Sequence, residues 1–155
     1  MNFYYKCGLD LYNYQTEKES KEYHACRFTI NGRHIIYRNG KITPKKIGQF
    51  VTFWKRNENN IIEPFFETDP VDFYHISVQN KNNEGQFVFP KALLIKKGII
   101  STPKKEGKRA FRVFPPWDLV TSKQAKQTQN WQLAYFFEIN NTDDLTKVSQ
   151  LFNAE

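Results

Sequence analysis

The apolar and polar positions of this chain alternate with a strand period through its middle and switch towards a helical period near its end. "HACRFTINGRHIIYRNGKI" reads as strand, turn, strand. Asn31-Gly32 supplies the preferred two-residue hairpin signal, and Asn39-Gly40 repeats it eight residues later. "GQFVTFWKR" is the next strand, with "NENN" as the turn behind it. "DFYHISVQN" is a clear strand, in which Phe73, His75, Ser77 and Gln79 alternate with Tyr74, Ile76 and Val78. After the turn "KNNEG", "QFVFP" and "AFRVFPP" read as two further strands joined by a basic loop, and Pro115-Pro116 stops the second.

The two ends read as helical. "TEKESKEY" has Thr16 as a candidate N-cap and a favourable i,i+4 pair in Glu17 and Lys21. "TSKQAKQTQNWQLAYFFEI" puts Trp131 and Tyr135 on one helix face. "TDDLTKVSQLF" reads as a final helix capped by Thr142, with acids in its first turn. The expected fold is therefore α/β (α+β), a mixed central sheet of about 5–6 strands flanked by helices. No repeat, low-complexity tract or linker divides the chain, so residues 1–155 read as a single domain.

Charge narrows the function classes. Twenty-three Lys and Arg against sixteen Asp and Glu give +7 and a pI near 9.4, a balance that suits polyanionic partners. The two cysteines, Cys7 and Cys26, have neither disulfide-framework nor zinc-ligand spacing, which points to a reducing compartment. "MNFYYKCGLDLY" lacks the layout of a signal peptide, and no apolar run approaches the roughly 20 residues of a membrane helix. The expectation is a soluble cytoplasmic protein without membrane contact.

The charge is also segregated. No acid lies between Glu22 and Glu58, an interval that holds Arg27, Arg33, Arg38, Lys41, Lys45, Lys46, Lys55 and Arg56. A second window, Lys91 to Arg112, holds Lys91, Lys96, Lys97, Lys104, Lys105, Lys108, Arg109 and Arg112 against Glu106 alone. One sign over an extended area suits a polyanion site. The aromatics among these charges, Phe50, Phe53, Trp54, Phe111 and Trp117, could stack on unpaired bases or form the buried faces of the strands.

The acids Glu58, Glu63, Glu67, Asp69 and Asp72 form their own run, either a set of Mg²⁺ ligands or a solvated loop. Metal-dependent nucleases of the restriction-endonuclease-like group place an Asp at a strand start and Asp/Glu-x-Lys on the next strand. Asp72 and Lys91 occupy two of those positions, but Phe89 stands where the second carboxylate belongs. Glu63 or Glu84 would have to replace it. The scattered His24, His34 and His75 form no metal or hydrolase motif, and nothing beyond residue type supports a Cys26–His nucleophile. No metal site and no cofactor are expected, Mg²⁺ entering only if the chain is a nuclease.

Five blocks, "TPKKIGQFVTFWKR", "PFFETDPVDFYHISV", "GQFVFPKALLIKKGIIST", "GKRAFRVFPPWD" and "KQAKQTQNWQLAYFFEI", occur in order from about Tyr23 to Ile139 and resemble the MepB family. These are small bacterial proteins named for a gene beside a multidrug efflux pump. The resemblance implies a restriction-endonuclease-like fold and nucleic-acid binding without cleavage. Carried onto this chain, it makes Lys41, Lys45, Lys46, Lys55, Arg56, Lys108, Arg109 and Arg112 candidate phosphate contacts. Gln49 becomes a candidate phosphate or base-edge donor, Lys91 sits in the nuclease lysine position, and Gly107 permits close backbone approach. Gln124, Gln127, Gln129 and Gln132 spread around the later helix, while Trp131 and Tyr135 read as core.

The leading expectation is a non-enzymatic nucleic-acid-binding protein of low sequence specificity, with DNA as the partner. The alternatives are a Mg²⁺-dependent nuclease using Asp72, Lys91 and Glu63, and an accessory protein that docks a protein partner or anionic ligand on its basic face.

Overall fold

The computed structural model describes residues 2–153. The chain starts with α1 (Asn2–Lys6), followed by β1 (Tyr12–Thr16), β2 (Cys26–Ile30), β3 (Arg33–Asn39), β4 (Lys41–Ile42), β5 (Gln49–Thr52), β6 (Trp54–Arg56) and β7 (Ile62–Pro64). Then come β8 (Phe73–Gln79), β9 (Glu84–Pro90), α2 (Lys91–Lys96), β10 (Ala110–Val113), α3 (Lys123–Leu133), β11 (Phe136–Phe137) and α4 (Thr142–Asn153). The result is a mixed α+β fold around a six-stranded sheet in the order β1-β2-β3-β8-β9-β11. A three-stranded sheet (β10-β5-β4) and the β6-β7 pair accompany it.

Local chemistry explains the hairpins. Asn31 (φ 51°) and Gly32 (φ 75°) are both left-handed, as the tight β2–β3 turn requires. β8 and β9 pair antiparallel from Phe73↔Pro90 to Gln79↔Glu84, and β3 lies parallel to β8. The long β3–β8 crossover carries β4 to β7.

Both faces of the central sheet are covered. Tyr74, Ile76, Phe87 and Phe89 point towards Val51, Phe53, Leu94 and Val113, the side closed by the small sheet, α2 and α3. Phe28, Ile35, Phe73 and Val88 pack with Phe3, Tyr4, Val148 and Phe152 of α1 and α4. The alternation read in β8 is therefore real, but Phe73 and His75 on its more polar face are buried as well, and only Gln79 at its end is exposed. His75 is fully enclosed, with Tyr4 Oη 2.6 Å from Nδ1 and Gln86 Oε1 2.6 Å from Nε2. With the Gln86 oxygen accepting, the ring proton sits on Nε2 and Nδ1 accepts from Tyr4. Burial lowers the His75 pKa to about 4, and the neutral ring ties α1 to the sheet.

Five local expectations change. The helix read in "TSKQAKQTQNWQLAYFFEI" stops at Leu133, and Phe136–Phe137 form β11 against β9. "TEKESKEY" forms no α-helix: Ser20 (φ 55°) is left-handed, and only Lys21–Tyr23 makes a short 3-10 turn. Three glutamates drawn to three different places cannot stay on one helix. Asn39-Gly40 is not a hairpin. The Gly40 amide donates to Ser77 O (2.8 Å), and β4 leaves to pair with β5. "GQFVTFWKR" splits at Phe53, whose amide turns to Arg109 O (2.8 Å) while its ring stacks on Tyr74 (4.2 Å). The last helix begins at Thr142, but its capping acceptor is Asn141 Oδ1, which takes the Asp144 amide (3.0 Å). Among the described residues no helix is long and apolar enough to cross a membrane.

Candidate nucleic-acid interface

The first basic window is acid-free only along the chain. In space, Lys41 Nζ is 3.0 Å from Glu22 and Arg56 is 2.6 Å from Glu19, with its guanidinium over the Trp54 ring (5.5 Å). Lys55 Nζ lies 2.7 Å from Asp69 and 3.6 Å from Glu63. Arg27 and Arg38 share Glu17, at 3.0 and 2.6 Å. Lys45 and Lys46, exposed in the loop between β4 and β5, make no ion pair or side-chain hydrogen bond among the described residues. Gln49 is 2% exposed, and its Nε2 donates to Gln79 O (3.1 Å). It holds the start of β5 against the end of β8 and reaches no surface.

The nuclease-like positions do meet. The Lys91 amide donates to Asp72 O (2.9 Å) where β9 runs into α2. Their side chains are otherwise committed. Asp72 Oδ2 accepts from the His34 amide (2.7 Å), and Lys91 Nζ donates to Asp69 O (2.7 Å). Asp69 itself takes Lys55 on one oxygen and the Phe66 amide (2.7 Å) on the other. Phe89 is fully buried against Trp131 (ring centroids 5.5 Å apart), so this position lies in the core and not at a metal site. Among the described residues no group of three or more His, Cys, Asp or Glu comes together as a metal cluster.

The second window behaves differently. A groove of about 340 Å³ runs between β10 and α3, lined by Lys97, Lys108, Arg112, Phe111, Gln124 and Trp131 among others, with no carboxylate in its wall. It continues along α3 past Gln127 and Asn130, again without an acid. Lys97 Nζ sits over the Trp131 ring (5.4 Å), and Lys108 has no side-chain partner among the described residues. Arg112 bonds only neutral groups: Thr43 Oγ1 (2.5 Å) and the carbonyls of Ile47 and Gly48 (3.2 and 3.3 Å). Its charge stays uncompensated while it anchors the loop that carries Lys45 and Lys46. Arg109 points elsewhere and pairs with Glu106 (3.0 Å).

Local structure explains why the groove forms. Ser122 caps α3 by accepting the Ala125 amide (3.0 Å). Gln132, fully buried, clamps the helix to the β10 segment, its Oε1 taking the Phe114 amide (2.8 Å) and its Nε2 donating to Arg112 O (2.9 Å). Gln129 donates to Pro115 O (2.9 Å) and Asp118 O (3.1 Å), so these two glutamines build the wall. Gln124, Thr128 and Trp131, spaced i, i+4, i+7, face the groove. Gly107 is close to backbone, but the backbone is its own: a Cβ there would collide with Ile99 O and lie 2.8 Å from Ser101 N.

Of the candidate aromatics, Phe53 is core. Phe50, Trp54, Phe111 and Trp117 are half-buried, with Phe111 edge-on to Tyr74 (5.9 Å) and Trp117 edge-on to Phe136 (5.9 Å). By sequence Lys97 reads only as one charge of the second window and Trp131 as core; Trp131 does pack against the core, but its half-buried ring also lines the groove. The i, i+4, i+7 spacing in α3, beside a lysine-rich segment, is the signal that could have found them.

Known proteins place the chain. No curated protein matches it. A family model described as MepB-like matches residues 17–138. A solved structure, the crystal structure of MepB, is 38% identical with a TM-score of 0.81, the match covering 85% of this chain and 89% of that one. The buried sheet, the split basic strand and the groove beside α3 are thus features of a chain that belongs to the MepB-like family.

Proposed function

We propose that the protein is a non-enzymatic, cytoplasmic nucleic-acid-binding protein of low sequence specificity that holds DNA phosphates along the β10–α3 groove. The observation that carries this reading is the carboxylate-free wall, where Lys97, Lys108 and Arg112 meet Phe111 and Trp131. Cations with no carboxylate partner neutralise phosphates and release counterions without reading sequence. The committed side chains of Asp69, Asp72 and Lys91 argue against in-line cleavage by the altered nuclease pattern.

The test is a titration of labelled single-stranded and duplex DNA over a range of salt, with and without Mg²⁺, followed by a denaturing gel. Intact strands, steep salt dependence and a large loss in Lys97→Gln/Lys108→Gln are expected. Mg²⁺-dependent cutting would return the nuclease reading. Absence of binding at low salt would leave the groove to an anionic small molecule or protein partner.

A further inference from the structure

The segment between β1 and β2, residues 17–25, behaves as an acidic strap. Its ends are tied together by Glu17 N donating to Ala25 O (2.9 Å). Two left-handed residues, Ser20 (φ 55°) and His24 (φ 50°), bracket its single 3-10 turn. Tyr23 is buried beside Phe50, and Ser20 Oγ lies 3.0 Å from Thr52 Oγ1, seating the strap on β5. Three of its glutamates then reach four cations on four strands: Glu17 to Arg27 and Arg38, Glu19 to Arg56, Glu22 to Lys41.

These pairs are of two kinds. Arg38 is 2% exposed, so its pair with Glu17 is part of the buried structure. The Glu19–Arg56 and Glu22–Lys41 pairs sit at the surface, where exposed ion pairs are weak and yield readily to a competing anion. A cleft of about 550 Å³ beside Glu17 and Glu19, walled by Arg27, Arg38, Arg56 and Trp54 with Asp69 on its far side, leaves room for a competing group at Arg56. The strap carboxylates thus stand on Lys41 and Arg56 as phosphate oxygens would, at 3.0 and 2.6 Å.

We propose that the strap is an intramolecular stand-in for a polyanion: it covers a second nucleic-acid contact surface, Lys41 and Arg56 with Trp54, which phosphates reach only by displacing Glu19 and Glu22. This rests on the nucleic-acid reading of the β10–α3 groove. The groove gives the first hold, and the strapped face adds contacts once a strand extends past it.

The test compares Glu19→Gln/Glu22→Gln with Glu84→Gln/Glu138→Gln, which makes the same change in net charge at exposed acids outside any ion pair among the described residues. Single-stranded and duplex DNA are titrated against both across salt, and amide exchange of the strap is followed with and without DNA. The strap variant should bind more tightly than the control. Its affinity should fall roughly tenfold further between about 50 and 200 mM salt, as two extra phosphate contacts require. In the wild type, DNA should speed exchange at the Tyr23 and His24 amides within the strap and leave the Glu17 amide at its base protected.

If both variants behave alike and strap exchange ignores DNA, while the wild type binds and Lys97→Gln/Lys108→Gln does not, the strap inference is wrong and the groove stands. If no form binds, both fall. Binding by the strap variant alone would support the strap and remove the groove as the first hold.

Discussion

The Arg38 guanidinium lies 2.6 Å from the Glu17 carboxylate at the base of the strap, and Arg38 is 2% exposed. Arg38 Nη1 also donates to Tyr37 O (2.8 Å), while Nε has no partner. A buried guanidinium that loses its carboxylate keeps its desolvation cost and loses the compensation. Glu17→Ala should therefore destabilise the protein by about 3–5 kcal/mol in chemical denaturation. Glu17→Ala combined with Arg38→Met should lose clearly less than Glu17→Ala alone. A double-variant loss equal to the sum of the two single losses would mean that the pair is not coupled.

Phe89 gives the second prediction. If a missing carboxylate were all that separated this chain from a nuclease, Phe89→Glu should create Mg²⁺-dependent cleavage. The ring is fully buried on Trp131, so the substitution instead places a carboxylate in the core. A loss of about 4 kcal/mol or more is expected, with no cutting of DNA on a denaturing gel.

His75 makes stability pH-dependent. It is neutral in the fold, with a pKa lowered by burial to about 4, whereas an unfolded histidine titrates near 6.5. Between these values unfolding takes up a proton, so stability is complete above about pH 6.5 and falls as pH drops towards 4. The loss should approach roughly 3 kcal/mol. His75→Gln should flatten this part of the profile in denaturant melts recorded from about pH 7 to 4, whatever it costs at neutral pH.

Gly107→Ala should destabilise the loop before β10, because the added methyl meets Ile99 O. About 2 kcal/mol or more is expected from thermal melts. Gly32→Ala has open space around its Cβ and should lose stability through its positive φ alone.

How legible this was in the sequence differed by element. β8, β9 and the Asn31-Gly32 hairpin carry strong local signals, and they form as read. The strap did not, because its charge spacing suits a helix in isolation while its glutamates are claimed by residues far along the chain. The same long-range pairing neutralises most of the first basic window, which linear charge counting could not foresee. Gln49 and Arg112 look like surface donors by type, yet one is buried and the other bonds a loop. Lys108 and Arg112 are legible as candidate contacts by residue type, but the groove they share with Lys97 and Trp131 needs the docking of α3 to exist. The Asp72–Lys91 meeting was readable because it follows from the β8–β9 register.

The parallel pairing of β3 with β8 also sets an order of events. A hairpin such as β8–β9 closes a short loop, whereas β3 must wait for residues 40–72 to be gathered before it can dock on β8. That excursion carries Lys41, Lys55 and Arg56, and it ends at Asp72, whose backbone amide and side chain both join to His34 beside the new pair. The basic segment is thus held inside the one loop whose closure joins the β2–β3 hairpin to the β8–β9 hairpin, so its placement depends on the pairing of two separately formed hairpins.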